Sequence, residues 1–204
     1  MKVWDLATRI YHWLQALLFI LLVLSGFKGT GPHEPLGILL FTLIVWRLLW
    51  GVVGSESSRF GSFIKGPKTV IQYLLGRYPK KPGHNPAGGW MAIAMIAALF
   101  IQCITGIIMA GLISPLENLL IKEHLNTIGR LHDAGARLLL VMVTMHVGAI
   151  IVYKLKAQPL VKAMFSGIQQ QLSDAQNLYF VSMIRAVLVL IVSGAVTTSL
   201  LILG

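Results

Sequence analysis

The run HDAGARLLLVMVTMH, residues 132–146, decides how this chain is read. Its interior is apolar, and its two histidines, His132 and His146, stand fourteen positions apart. On a helix of about 3.6 residues per turn that spacing is close to four full turns. The two imidazoles then share one face, roughly 40° apart, at depths about 21 Å from each other. Titratable side chains at two levels of an apolar helix need partners at both levels.

Working outward, the rest of the chain is a suitable setting for such a helix. Of 204 residues, 56% are hydrophobic and only 12% charged, against about a quarter charged in ordinary globular domains. Apolar runs at residues 10–27, 35–53, 90–113, 138–152 and 179–203 approach or reach the roughly 20 residues that a spanning helix needs. An all-α integral membrane protein with five spans is therefore predicted. The first run reads as a permanent helix rather than a signal peptide. Trp4 and Asp5 interrupt the basic stretch of Lys2 and Arg9, and no small-x-small cleavage site follows Phe27.

The formal charge of +10 is explained by the loops and does not point to nucleic acid. Arg59, Lys65, Lys68, Arg77, Lys80 and Lys81 lie between the second and third spans, and Lys154, Lys156 and Lys162 between the fourth and fifth. The alternate loops mix signs: Lys28 with Glu34, then Glu117, Lys122, Glu123 and Arg130. By the positive-inside rule the N-terminus is cytoplasmic and, after five spans, the C-terminus periplasmic, in a bacterial inner membrane. Cys103 is the single cysteine, so neither an intrachain disulfide nor thioether attachment through Cys-x-x-Cys-His is possible.

Punctuation along the chain divides it into residues 1–153, a four-helix bundle, residues 154–178, a juxtamembrane segment at the cytoplasmic face, and residues 179–204, a fifth transmembrane helix. Asp5 is the expected N-cap of the first helix, and Asn85-Pro86 the N-cap and first residue of the third. The fourth is expected to open near Asn126 and Thr127. Residues 68–78 suit a short amphipathic surface helix.

Helix direction decides how the histidines pair. The first helix runs outward, placing His12 in the inner half, and the second runs inward, placing His33 in the outer half. The fourth runs inward, so His132 is outer and His146 inner. The permitted pairs are His12 with His146 and His33 with His132, each drawn from two helices at matched depth, as the two axial ligands of one haem iron require. Two non-covalent b haems are thus expected. Gly26 lies fourteen residues after His12 and presents no side chain at the outer level. Gly37 and Gly135, each about one turn from a histidine, also leave room for a flat macrocycle. Arg47, fourteen residues after His33, falls on the same face at the inner level and is the expected partner of a propionate, with Arg130 and Lys28 as lesser candidates at the outer interface. Arg137 is turned about 140–180° from the ligand face.

Other uses of histidine were weighed against this one. Structural zinc calls for four ligands at one depth, whereas these split into two distant pairs. A proton relay would recruit intramembrane acids, and the only one in a span is Asp133, near a helix start. His84, in Gly83-His84-Asn85-Pro86, has capping or loop packing as its expected role. His124 is expected to be solvated, with Glu123 and His124 as minor candidates for a quinone site. The tryptophans at 4, 13, 46, 50 and 90 read as an aromatic belt at one membrane boundary.

These residues together resemble the bacterial cytochrome b561 and nickel-iron hydrogenase b-type cytochrome subunit family. The likeness is carried by Val3-Trp4-Asp5-Leu6-Ala7-Thr8-Arg9-Ile10-Tyr11-His12-Trp13, by His33 leading to Arg47-Leu48-Leu49-Trp50-Gly51, by Gly83-His84-Asn85-Pro86-Ala87-Gly88, and by His132 with His146. It implies a four-helix core holding two b haems, with His12, His33, His132 and His146 at the family's ligand positions. It further implies electron exchange between the quinone pool and a periplasmic redox partner, such as a cytochrome c or a hydrogenase-like subunit. The chain would then be a conduit in a respiratory complex. Two rivals stand beside it: a histidine-dependent proton or metal transporter, and a self-contained oxidoreductase that reduces quinone with a small donor such as superoxide.

Overall fold

In the computed structural model, residues 1–79, 81–113, 122–169 and 178–203 are described. Lys80, Glu117 and the side chain of Lys122, named above among the loop charges, lie outside that set. Five helices are long and apolar enough to cross a membrane, and the protein is an all-helical, multi-pass membrane protein. These five are α1 (Leu6–Lys28), α2 (His33–Val53), α5 (Pro86–Met109), α6 (Lys122–Leu155) and α8 (Met183–Leu203); the short helices α3 (Phe60–Phe63), α4 (Pro67–Leu74) and α7 (Leu160–Ser166) lie between them.

Local chemistry sets several of these boundaries. Asp5 caps α1, its carboxylate accepting from Thr8 N at 2.7 Å, and Asn85 caps α5 by accepting from Gly88 N at 2.7 Å. The fourth spanning helix starts before Asn126. Thr127 Oγ1 turns back to Glu123 O at 3.1 Å, so the hydroxyl bonds the preceding turn and ends nothing. The last helix starts later than its apolar run. Glu56 N donates to Tyr179 O at 3.0 Å, Tyr179 N to Glu56 Oε2 at 2.9 Å, and Val181 N to Ser55 Oγ at 3.1 Å. Residues 179–181 are held extended against the 55–56 loop, and the helix opens only at Met183. The surface helix α4 stops at Leu74 because Gly76, at φ +72°, turns the chain out of the helix.

The second spanning helix is the hub, packing against α1, α5 and α8, whereas α6 packs chiefly on α5. Leu40, Phe41 and Ile44 of α2 meet Ile96, Leu99, Cys103 and Ile107 of α5 and Leu139 of α6 in the main buried cluster. Trp46 and Trp50 depart from the expected belt: both are buried, stacked on each other at 5.2 Å, with Tyr11 stacked on Trp46 at 5.3 Å. Trp46 Nε1 donates to Ala186 O at 3.1 Å and Trp50 Nε1 to Thr8 Oγ1 at 3.2 Å, so each indole finds a polar partner inside the protein. Trp90 is half exposed and donates to Lys65 O at 2.8 Å.

At the end of the bundle that carries the basic loops, a polar knot joins α1 to the 55–58 turn. Asp5 Oδ2 accepts from Thr8 Oγ1 at 2.9 Å and from Ser58 Oγ at 3.0 Å, and Ser57 Oγ donates to Val3 O at 2.6 Å. The segment around residues 1–4 pairs with residues 167–169, as in Val3 N to Gly167 O at 2.7 Å and Gln169 N to Met1 O at 2.9 Å.

Candidate functional site

Two groups of histidines form inside the bundle, one towards each end. At the end opposite the basic loops, the rings of His33 on α2 and His132 on α6 stand 6.3 Å apart, centre to centre, at an interplanar angle of 80°. Each Nδ1 has a hydroxyl partner: His33 with Ser25 Oγ at 2.9 Å, His132 with Thr105 Oγ1 at 2.9 Å. Those hydroxyls donate elsewhere. Ser25 Oγ gives its proton to Leu22 O at 3.2 Å, and Thr105 Oγ1 to Gln102 O at 2.9 Å or Ile101 O at 3.1 Å. A hydroxyl has one proton to donate, so each imidazole is the donor at Nδ1 and its Nε2 holds a free lone pair. That is the tautomer a metal ligand needs.

The spacing is open to a direct fit test. A metal–imidazole nitrogen bond of about 2 Å, plus a little over 1 Å from nitrogen to ring centre, would put two imidazoles that share one metal at most roughly 6.3 Å apart. The observed separation therefore fits one iron between the two rings. Glycine lies close to both rings. A Cβ built on Gly26 would lie 3.1 Å from His33 Cε1, and one on Gly106 would lie 3.1 Å from His132 Cε1. Gly37 meets nothing within 4 Å, while the space beside Gly135 is taken by the Gln102 carboxamide, whose Nε2 donates to His132 O at 3.0 Å.

At the basic end, His12 on α1 and His146 on α6 lie within electrostatic reach of one another. Nδ1 of His12 is enclosed and has no hydrogen-bond partner among the described residues, and the ring meets Trp13 edge-on at 5.1 Å. Arg47 is 4% exposed and donates from Nη1 to Ser58 O at 3.1 Å. His84 completes this group. Its ring lies edge-on to Trp4 at 4.8 Å and against Phe63 at 4.5 Å. Burial, then the charge of Arg47, then His146 and His12 push its pKa from the usual histidine range down to about 3.

The remaining candidates fall outside both groups: His124, Glu123, Arg130, Asp133 and Arg137 are exposed. Arg130 Nη2 donates to Thr127 Oγ1 at 3.2 Å. Among the described residues no three His, Cys, Asp or Glu side chains gather on one point; His33 and His132 meet as a pair. Sequence reading missed Ser25, Thr105, Gln102 and Gly106; the loop-packing role expected of His84 agrees with its contacts to Trp4 and Phe63. Nothing in the pattern of α5, a helix with no histidine, marks Gly106 or Thr105.

A groove of about 390 Å³ opens on the lipid-facing side of α1, lined by residues that include Leu6, Arg9, Ile10, Trp13, Leu17 and Phe165. Trp13 stacks on Phe165 of α7 at 4.2 Å and also touches His12, so one indole separates the groove from the basic-end histidines.

A profile of the prokaryotic cytochrome b561 family matches residues 3–167 of the chain. No curated protein and no solved structure matches it.

Proposed function

Because the chain belongs to the prokaryotic cytochrome b561 family, and is thus a b-type, haem-binding membrane cytochrome of electron transfer, we propose that it carries two haems. His33 and His132 would hold one and His12 and His146 the other, stacked across the bilayer. The observation that carries this reading is the His33–His132 separation of 6.3 Å together with the Nδ1 hydrogen bonds that leave both Nε2 atoms bare. When bound, haem supplies an iron that alternates between ferric and ferrous states. The protein's own residues supply position and tuning. Two imidazoles per iron leave no coordination site for oxygen chemistry. Ser25 and Thr105 fix ring orientation, and Gly26 and Gly106 let the rings sit close to the helix backbones. Arg47, buried at the basic end, is the natural partner for a propionate.

Electrons would pass between the quinone pool and a periplasmic partner such as a cytochrome c or another redox subunit. The groove beside Trp13 supports a quinone contact at the basic end, since it opens to lipid and reaches to within one side chain of His12. By the charge of its loops, the basic end is cytoplasmic in an inner-membrane protein.

Haem content measured as pyridine haemochrome tests the reading. A ratio near two haems per chain is expected, and a ratio near one overturns the two-haem assignment. His12→Ala and His146→Ala should each remove one and the same haem, and His33→Ala and His132→Ala the other. Retention of either haem after loss of one of its ligands overturns that pair.

A further inference from the structure

Among the described residues no anion pairs with Arg47. Its guanidinium makes one hydrogen bond to them, to Ser58 O, and lies over the rings of Phe60 at 5.0 Å and Phe63 at 6.0 Å. The carboxylate within its electrostatic reach is Asp5, which already accepts from Thr8 N, Thr8 Oγ1 and Ser58 Oγ. A buried charge without a close partner is costly, and intramembrane arginines are matched by a carboxylate or a wet cavity.

His84, which also lies against Phe63, shows the same lack. Its Nδ1 is enclosed and has no hydrogen-bond partner among the described residues. The groups that act on it electrostatically are Arg47, His146 and His12. All are cationic or neutral, so none of them rewards a proton donor there, and Glu56, the acid lining the same pocket as His84, already accepts from Tyr179 N. Both side chains lie against Phe63 of α3, and His84 is within electrostatic reach of Arg47, His146 and His12. One carboxylate placed among them would satisfy both.

We infer that Arg47 and His84 form a carboxylate-binding site which anchors a propionate of the haem held by His12 and His146. The inference rests on the reading of those two histidines as ligands, and adds a residue from the loop before α5 to a site otherwise built from spanning helices. His84 acts as a neutral N–H donor, and the guanidinium supplies the charge. It is a positioning residue: it makes no bond to iron.

The test uses the full chain purified with its haems, comparing the wild type with His84→Phe, which keeps an aromatic ring between Trp4 and Phe63, and His84→Gln, which restores a donor. Transfer of haem to excess apomyoglobin and a redox titration are followed for each haem, the two being distinguished by the His146→Ala spectrum. In His84→Phe, the haem that His146→Ala removes should be released about tenfold faster, the equivalent of one hydrogen bond to a charged group, and its potential should fall because its propionate is less well neutralised. The other haem should be unchanged, and His84→Gln should recover most of both effects. Unchanged release and potential in His84→Phe overturn the inference, as does an equal effect on both haems. A wild-type potential that responds to added acetate, and stops responding in His84→Phe, would show a free carboxylate in the site and overturn the propionate assignment. If His84→Phe does not accumulate, the propionate bending bands in the resonance Raman spectrum of His84→Gln decide: no difference from the wild type overturns the inference. Failure of His146→Ala to remove any haem would sink the ligand reading itself, an outcome distinct from all of these.

Discussion

Ser25 and Thr105 each give their hydroxyl proton to a backbone carbonyl one turn back, which leaves only the oxygen lone pairs for His33 and His132. Ser25→Ala or Thr105→Ala removes that acceptor, and the imidazole is free to rotate or change tautomer. Loss of such a partner costs roughly ten- to hundredfold in metal affinity. Faster release of one haem is the expected outcome, read by transfer to apomyoglobin, with the same haem affected in both variants. If different haems respond, the His33–His132 pairing fails. Gly106 makes a steric prediction at the same site. A Cβ there would already approach His132 Cε1 to 3.1 Å, so Gly106→Leu should displace the ring and lower haem content towards one per chain. Gly194→Leu, where nothing lies within 4 Å, should leave haem content unchanged. This residue scale is where the sequence was least informative. The fourteen-residue spacing displays His132 and His146 to any reader, but Thr105 and Gly106 matter only because α5 packs against α6, and packing between helices has no periodicity of its own. Which residues His84 packs on was obscure for the same reason: a loop's path is set by what it lands on, here Trp4 and Phe63.

Elements behave more predictably, because hydropathy windows and caps are local. All five spans were legible, as were the caps at Asp5 and Asn85. The start of α8 was not, since the amides of Tyr179 and Val181 are captured by Glu56 and Ser55 from a loop more than a hundred residues away. Nor was the role of α2 as hub, which depends on a packing order that five apolar helices do not announce. That role can be tested at Trp46, whose indole is buried between Tyr11 and Trp50 and bonded to α8. Trp46→Phe keeps an aromatic ring and removes the indole donor to Ala186 O. Stability should fall by about 0.5–1.5 kcal/mol, the net value of one hydrogen bond, while haem content stays at the wild-type ratio. Thermal unfolding in detergent, followed by circular dichroism, measures the first and pyridine haemochrome the second. No change in stability would mean that α2 and α8 are held by apolar contact alone.

For the molecule as a whole, the asymmetry of charge between its ends predicts its orientation. Alkaline phosphatase fused after Gly31 should be active, and fused after Gly76 inactive, if the basic loops stay in the cytoplasm; the reverse pattern would invert every inner and outer assignment made here. The molecule is also unevenly held together. In the most apolar stretch of α6 only 6% of the residues are buried within the chain, against 39% in that of α2, and α6 rests chiefly on α5 while carrying half of the four histidines. A haem held from α6 as proposed would add contacts from α1 and α2 to a helix that otherwise rests chiefly on α5, and would act as a structural wedge as well as a redox centre. In a newly inserted chain, haem supply would then bear on how firmly the fourth span is held.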